Sequence, residues 1–84
     1  MLSILIRLEK FSIMNKVSPK SLLHSKWTKI DVQNKEKHFV ITKVKFDDEQ
    51  RITECVIEAV ISHNEYAINW RDLKQSNLWK IGWK

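Results

Sequence analysis

Residues 38–61, HFVITKVKFDDEQRITECVIEAVI, consist of two runs rich in β-branched residues on either side of an acidic turn. In the first run Val40, Thr42, Val44 and Phe46 fall on one side and Lys43 and Lys45 on the other, the two-residue period of a strand with one buried face. In the second run Cys55, Ile57, Ala59 and Ile61 share a side, with Glu54 and Glu58 opposite. A four-residue loop over 47–50, closed by Phe46 and Arg51, places Val44 against Thr53, Thr42 against Cys55 and Val40 against Ile57, so both apolar sets meet. The same register sets Lys43 opposite Glu54 on the outer side, an opposite-charge pair contributing roughly 0.2–1 kcal/mol.

The other elements follow from shorter signals. Ser18 before Pro19 is an N-cap with proline at the first helical position, and Leu22 and Leu23 give a short helix its apolar contact, with an end near His24. Residues 26–32 carry Ile30 and Val32 on one strand face, and residues 33–37 form a polar turn. After a turn at His63 and Asn64, a fourth strand over 65–70 alternates Tyr66, Ile68 and Trp70. Residues 70–73 have the composition of one helical turn, and residues 78–83 form a last strand interrupted by Gly82, which signals a bulge or a close backbone approach. The expected fold is mainly β: a five-stranded antiparallel meander closed into a small SH3-like barrel, with a short N-terminal helix and a helical turn before the last strand. An open meander with the helix laid across it is the alternative.

Residues 1–13, MLSILIRLEKFSI, do not share this patterning, and we expect them to be an extension preceding a single domain over 14–84. An amphipathic helix aligning Leu5, Leu8 and Phe11, or a strand aligning Leu2, Ile4, Ile6 and Leu8, are the other readings. A charge inside the apolar run and no small-residue cleavage site argue against a secretory signal.

Size makes the aromatic content informative. A chain of 84 residues buries only about 60–65% of its unfolded surface, and four Trp, three Phe and one Tyr offer large side chains to fill a small core. The single cysteine, Cys55, excludes an internal disulfide framework and suits a small buried side chain in the reducing cytoplasm. No window has the length of apolar sequence that a membrane helix needs. The net charge of +5 is unevenly distributed: residues 14–37 carry six Lys against Asp31 and Glu36, residues 38–69 carry three basic and six acidic residues, and residues 70–84 carry Arg71, Lys74, Lys80 and Lys84 against Asp72. Basic ends around an acidic middle become one positive face if the fold joins the ends.

Most catalytic chemistries lack their residues. His24, His38 and His63 are isolated and Cys55 is alone, without the paired spacing of a metal site. Ser25, His24 and Asp31 are near in sequence but no nucleophile elbow surrounds them. Asp47 and Asp48 sit at a solvated hairpin tip, untuned for acid–base work, and one glycine makes no phosphate loop. An enzyme, a metal or a cofactor is therefore not expected. What remains is aromatic residues interleaved with cations, in Lys26-Trp27-Thr28-Lys29, Trp70-Arg71 and Trp79-Lys80-Ile81-Gly82-Trp83-Lys84. Rings stack on bases and cations follow phosphates, so Lys26, Trp27, Lys29, Arg71, Lys74, Lys80, Trp83 and Lys84 are the candidate nucleic-acid-binding residues. Ile81 between Trp79 and Trp83 favours the competing reading, a tryptophan-filled core solvated by lysines.

The segments NKVSPKSLLHSKWT, NKEKHFVITKV, ECVIEAV, INWRDLK and LWKIGWK together resemble the small tryptophan-rich family of bacterial proteins of unknown function, over residues 14–84. The resemblance carries no catalytic or binding role onto any position. Gln50 departs from the family pattern, which often has Gly in this turn, and that change costs about 0.5–1 kcal/mol if the position needs positive φ. The expected function is a non-catalytic module binding single-stranded RNA or a ribonucleoprotein. Its rival is a protein-interaction or assembly domain with exposed Trp at the contact.

Overall fold

The computed structural model describes residues 14–84, so the expected extension over 1–13 lies outside the described residues. Strands β1 (Lys26–Gln33), β2 (Glu36–Phe46), β3 (Ile52–Ala59), β4 (Glu65–Ala67) and β5 (Trp79–Ile81) form one antiparallel sheet in the order β4-β3-β2-β1-β5. The expected meander, with the last strand returned beside the first, is present. The expected closure is not: β4 and β5 are the two edges of an open sheet. Both edges are three-residue strands, which leaves few unpaired backbone groups at either side of the sheet.

The expected N-terminal helix is a single 3-10 turn, Pro19–Ser21. Proline holds the first position, but the Ser18 side chain makes no capping bond. The chain leaves the turn through His24, at positive φ, and buries Leu22 against the sheet. The expected helical turn before the last strand is also 3-10, Trp70–Lys74, with the Asn69 side chain accepting from the Arg71 amide at 3.1 Å and Leu73 buried.

The hairpin registers differ from the simple alternation. Between β2 and β3 the pairs are Phe46 with Ile52, Lys45 with Glu54, Val44 with Cys55, Lys43 with Val56, Ile41 with Ile57, and Phe39 with Ala59. Three local causes produce the shift, one of them an irregularity between Lys45 and Phe46 that leaves Thr53 as an extra residue in β3. At the tip, Asp47 Oδ1 accepts from the amides of Glu49 and Arg51, both at 2.9 Å, and Gln50 adopts φ 65°, so the loop takes up five residues, 47–51. Between Ile41 and Lys43 an irregularity inserts an extra residue and exchanges the faces of β2. Phe39 and Ile41 therefore point into the core, where Val40 and Thr42 were expected, while Val44 beyond the bulge packs on the core and Phe46 is exposed. Thr42 at the bulge keeps a buried hydroxyl with no partner among the described residues. β3 follows the expected alternation, with Cys55, Ile57 and Ala59 buried. Lys43 still reaches Glu54, at 3.6 Å, but diagonally, with Lys45 on the same carboxylate at 3.5 Å.

In β1 the expected face of Ile30 and Val32 is exposed, and Trp27 enters the core instead. Its indole N–H donates to Ser25 Oγ at 2.8 Å, which removes the penalty for burying it. The β1–β2 turn is Asn34-Lys35, both at positive φ, the two-residue geometry that matches strand twist. Trp27, Phe39, Ile41, Ile57 and Trp79 line the inner face of the sheet, and Leu22 and Leu73 from the two 3-10 turns close the core. Asn15 ties the ends together, donating from Nδ2 to the carbonyls of Leu73 and Trp79 at 2.8 and 2.7 Å.

Candidate functional site

The last three residues do not continue the face of β5. Gly82 adopts φ 79°, a conformation disfavoured for side-chain-bearing residues, while its amide still donates to the Lys26 carbonyl at 2.8 Å. A Cβ there would meet nothing within 4 Å, so the backbone angle and not space calls for glycine. This bend carries Trp83 and Lys84 onto the outer face of β1 and β2, opposite the core. Thr28, buried beneath them, donates to the Gly82 carbonyl at 2.7 Å and accepts from the Lys84 amide at 2.9 Å.

On that outer face the Trp83 indole N–H donates to the Phe39 carbonyl at 3.0 Å, which anchors one edge of a ring that stays 45% exposed. The Lys26 ammonium lies 4.7 Å from the ring centroid, within cation–π range. The His38 ring stands 5.9 Å from the indole, and its Nε2 contacts the Lys84 carbonyl oxygen at 3.0 Å. Lys80 is the register partner of Thr28 and so projects from the same face. Four of the expected residues, Lys26, Lys80, Trp83 and Lys84, are thus brought together, and His38 joins them. His38 gave no sequence signal, because only the Gly82 bend makes it a neighbour of Trp83.

The other four lie elsewhere. Arg71 and Lys74 sit over Trp70, at 5.2 and 5.0 Å from its ring, and form a second aromatic–cation group on the 3-10 turn. Trp27 is 3% exposed, and its ring packs in the core, out of reach of a stacking base. Lys29 is the register partner of Trp79 and projects from the inner face.

The inner face also carries a carboxylate that sequence reasoning passed over. Glu36 opens β2 and is only 5% exposed; its Oε2 accepts from Ser62 Oγ and, at 3.0 Å, from Asn64 Nδ2, and its Oε1 accepts from Tyr66 OH at 2.6 Å. These hydrogen bonds, with that from Ser62 first, hold its pKa below the ordinary carboxylate value, and the Tyr66–Glu36 bond raises that of the Tyr66 phenol. A glutamate beside a hairpin turn has no pattern of its own in sequence; its donors come from the β3–β4 turn and from β4, 26 to 30 residues away.

Burial pushes the Cys55 thiol up, away from the reactive thiolate. Among the described residues no group of three or more His, Cys, Asp or Glu is placed to hold a metal ion, and no helix is long and apolar enough to cross a membrane. Residues 25–84 match the family described as Tryptophan-rich protein (DUF2389). Neither a curated protein nor a solved structure matches the chain.

Proposed function

The chain belongs to this tryptophan-rich family, and from that premise we propose that it is a non-catalytic cytoplasmic module that binds single-stranded RNA, free or within a ribonucleoprotein, on the outer face of β1 and β5. The observation that carries this reading is the half-exposed Trp83 ring with the Lys26 ammonium at 4.7 Å and Lys80 and Lys84 on the same face. A flat ring ringed by cations suits a base and its phosphates, with about 1–3 kcal/mol per stacked base. At the acidic hairpin tip Asp47 and Glu49 pair with Arg51 at 3.0 and 3.2 Å, and neither pairs with a cation of this face.

Titration of a labelled single-stranded oligonucleotide at two salt concentrations tests the reading. Binding should weaken with a log–log slope of about −0.7 per phosphate neutralised, and Lys26→Glu with Lys80→Glu should flatten that slope. Both side chains are exposed, so the double variant keeps its fold. No binding at low salt, or binding that the double variant leaves unchanged, overturns the proposal and favours a protein partner on the exposed Ile30, Leu78 and Ile81.

A further inference from the structure

The inner face of the sheet, opposite Trp83, contains an open cavity of about 240 Å³. Phe39, Ile57, Ile68 and Trp79 form its apolar wall, Lys29, Glu36 and Tyr66 supply polar groups within it, and Gln33 at the end of β1 with Asn34 of the β1–β2 turn completes its lining. The wall is rigid. Phe39 meets Trp79 edge to face at 5.3 Å, and Tyr66 lies 6.4 Å from Phe39. The volume is below the roughly 300–1,000 Å³ of pockets for drug-sized ligands, which limits the occupant to about one ring system.

The polar groups narrow its chemistry. A carboxylate accepts at about four lone-pair sites, and Ser62, Asn64 and Tyr66 occupy three of those on Glu36. One acceptor site remains. Lys29 is half-buried and, among the described residues, its ammonium makes no hydrogen bond and no ion pair within 4.0 Å, yet its charge is close enough to help lower the Glu36 pKa. A free donor and a free acceptor therefore face the same cavity across a gap too wide for a direct salt bridge. A purely apolar occupant would desolvate both without pairing either. An anion meets Glu36, and a cation meets Lys29.

We propose that this cavity binds a flat heterocycle with an adjacent carbonyl and ring N–H, the lactam edge of a guanine-type base. The carbonyl oxygen accepts from the Lys29 ammonium, the N–H donates to the open site on Glu36, and the ring lies along the exposed Tyr66 and the half-buried Ile68, over the buried Phe39 and Trp79. The pocket is separate from the Trp83 surface, and its occupancy does not depend on RNA binding there.

Guanosine titrated into the full chain, followed by NMR shifts of the Phe39 and Trp79 rings, tests this. Saturable shifts at these two rings are expected. 1-Methylguanosine, which lacks the ring N–H, and Lys29→Met, which keeps the stem and loses the donor, should each weaken binding about tenfold or more. Lys26→Glu with Lys80→Glu should leave it unchanged. Comparing guanosine with the trinucleotide CpGpC separates the two sources of such a base: equal affinity assigns the pocket to the free heterocycle, and tighter trinucleotide binding to a unit within a strand. No saturable shift up to millimolar guanosine, or equal binding of 1-methylguanosine, overturns the proposal even if Lys29→Met fails to fold.

Discussion

Truncating Ile41 and Val40 separately to alanine tests the facing of β2, on which the core and both binding surfaces depend. Ile41 is 0% exposed and pairs with Ile57. Ile41→Ala removes three carbons, a transfer loss of about 2.4 kcal/mol at about 0.8 kcal/mol each. If roughly 40 Å³ of the space stays open, a cavity term of about 24 cal/mol per Å³ adds about 1 kcal/mol. The expected loss is therefore about 3 to 3.5 kcal/mol, against a total stability of about 4–13 kcal/mol for a chain this size. Val40 lies on the outer face, half-buried, and Val40→Ala removes two carbons that already meet water, a loss of about 0.8 kcal/mol. Urea unfolding followed by tryptophan fluorescence separates these outcomes. With a slope of about 1 kcal/mol per molar, the midpoint should fall by about 3 M for the first variant and by under 1 M for the second. Should Ile41→Ala unfold the chain outright while Val40→Ala stays folded, that difference alone establishes the expected order. A Val40→Ala effect equal to or larger than that of Ile41→Ala would refute the bulge and restore the uninterrupted alternation.

Gln50→Gly should stabilise the fold by about 0.5–1 kcal/mol, since Gln50 is exposed and sits at φ 65°; a thermal melt should rise by several degrees, and a fall would mean that the side chain contributes more than the backbone strain. The carboxyls of Glu36 and Asp47 are held below their ordinary pKa values, Glu36 first by Ser62 and Asp47 first by the Arg51 amide. A lowered folded-state pKa means that their stabilisation is fully present above about pH 4.5, the ordinary glutamate value, and is lost as pH falls through the lowered values. Melting temperature measured from pH 7 downward should therefore decline in acid, and Glu36→Gln should make the decline shallower; an identical profile in the variant would place the acid sensitivity elsewhere.

Sequence periodicity located every strand, because alternation of apolar and polar residues is a local property that survives without knowledge of partners. It also assigned Cys55, Ile57 and Ala59 of β3 to the buried face correctly, whereas Ile61, expected beside them, lies past the end of the strand and is exposed. It misjudged β2, where one extra residue at the bulge moves Phe39 and Ile41 inward and Val40 outward. β-Branched residues and threonine fit either face of a strand, so nothing in residues 38–46 marks the break. The positive φ expected for a turn glycine reappeared at Gln50, where the Asp47 side chain holds the loop in place of glycine.

The sequence by itself determined the mainly β class, the meander, the family and the set of cations. Tertiary structure decided how those cations are grouped. Gly82 was legible as an irregularity, but its bend sends Trp83 to the outer face, while Trp27, identical in local context to a stacking candidate, lies in the core. The pairing of Lys29 and Glu36 across one cavity is likewise invisible along the chain, because the donors that hold the carboxylate come from a distant turn and from β4. The physical reason is common to all three. A strand's period says which residues share a side, but which side is buried is set by the partners that cover it, and those are fixed only when edges, bulges and turns close in three dimensions.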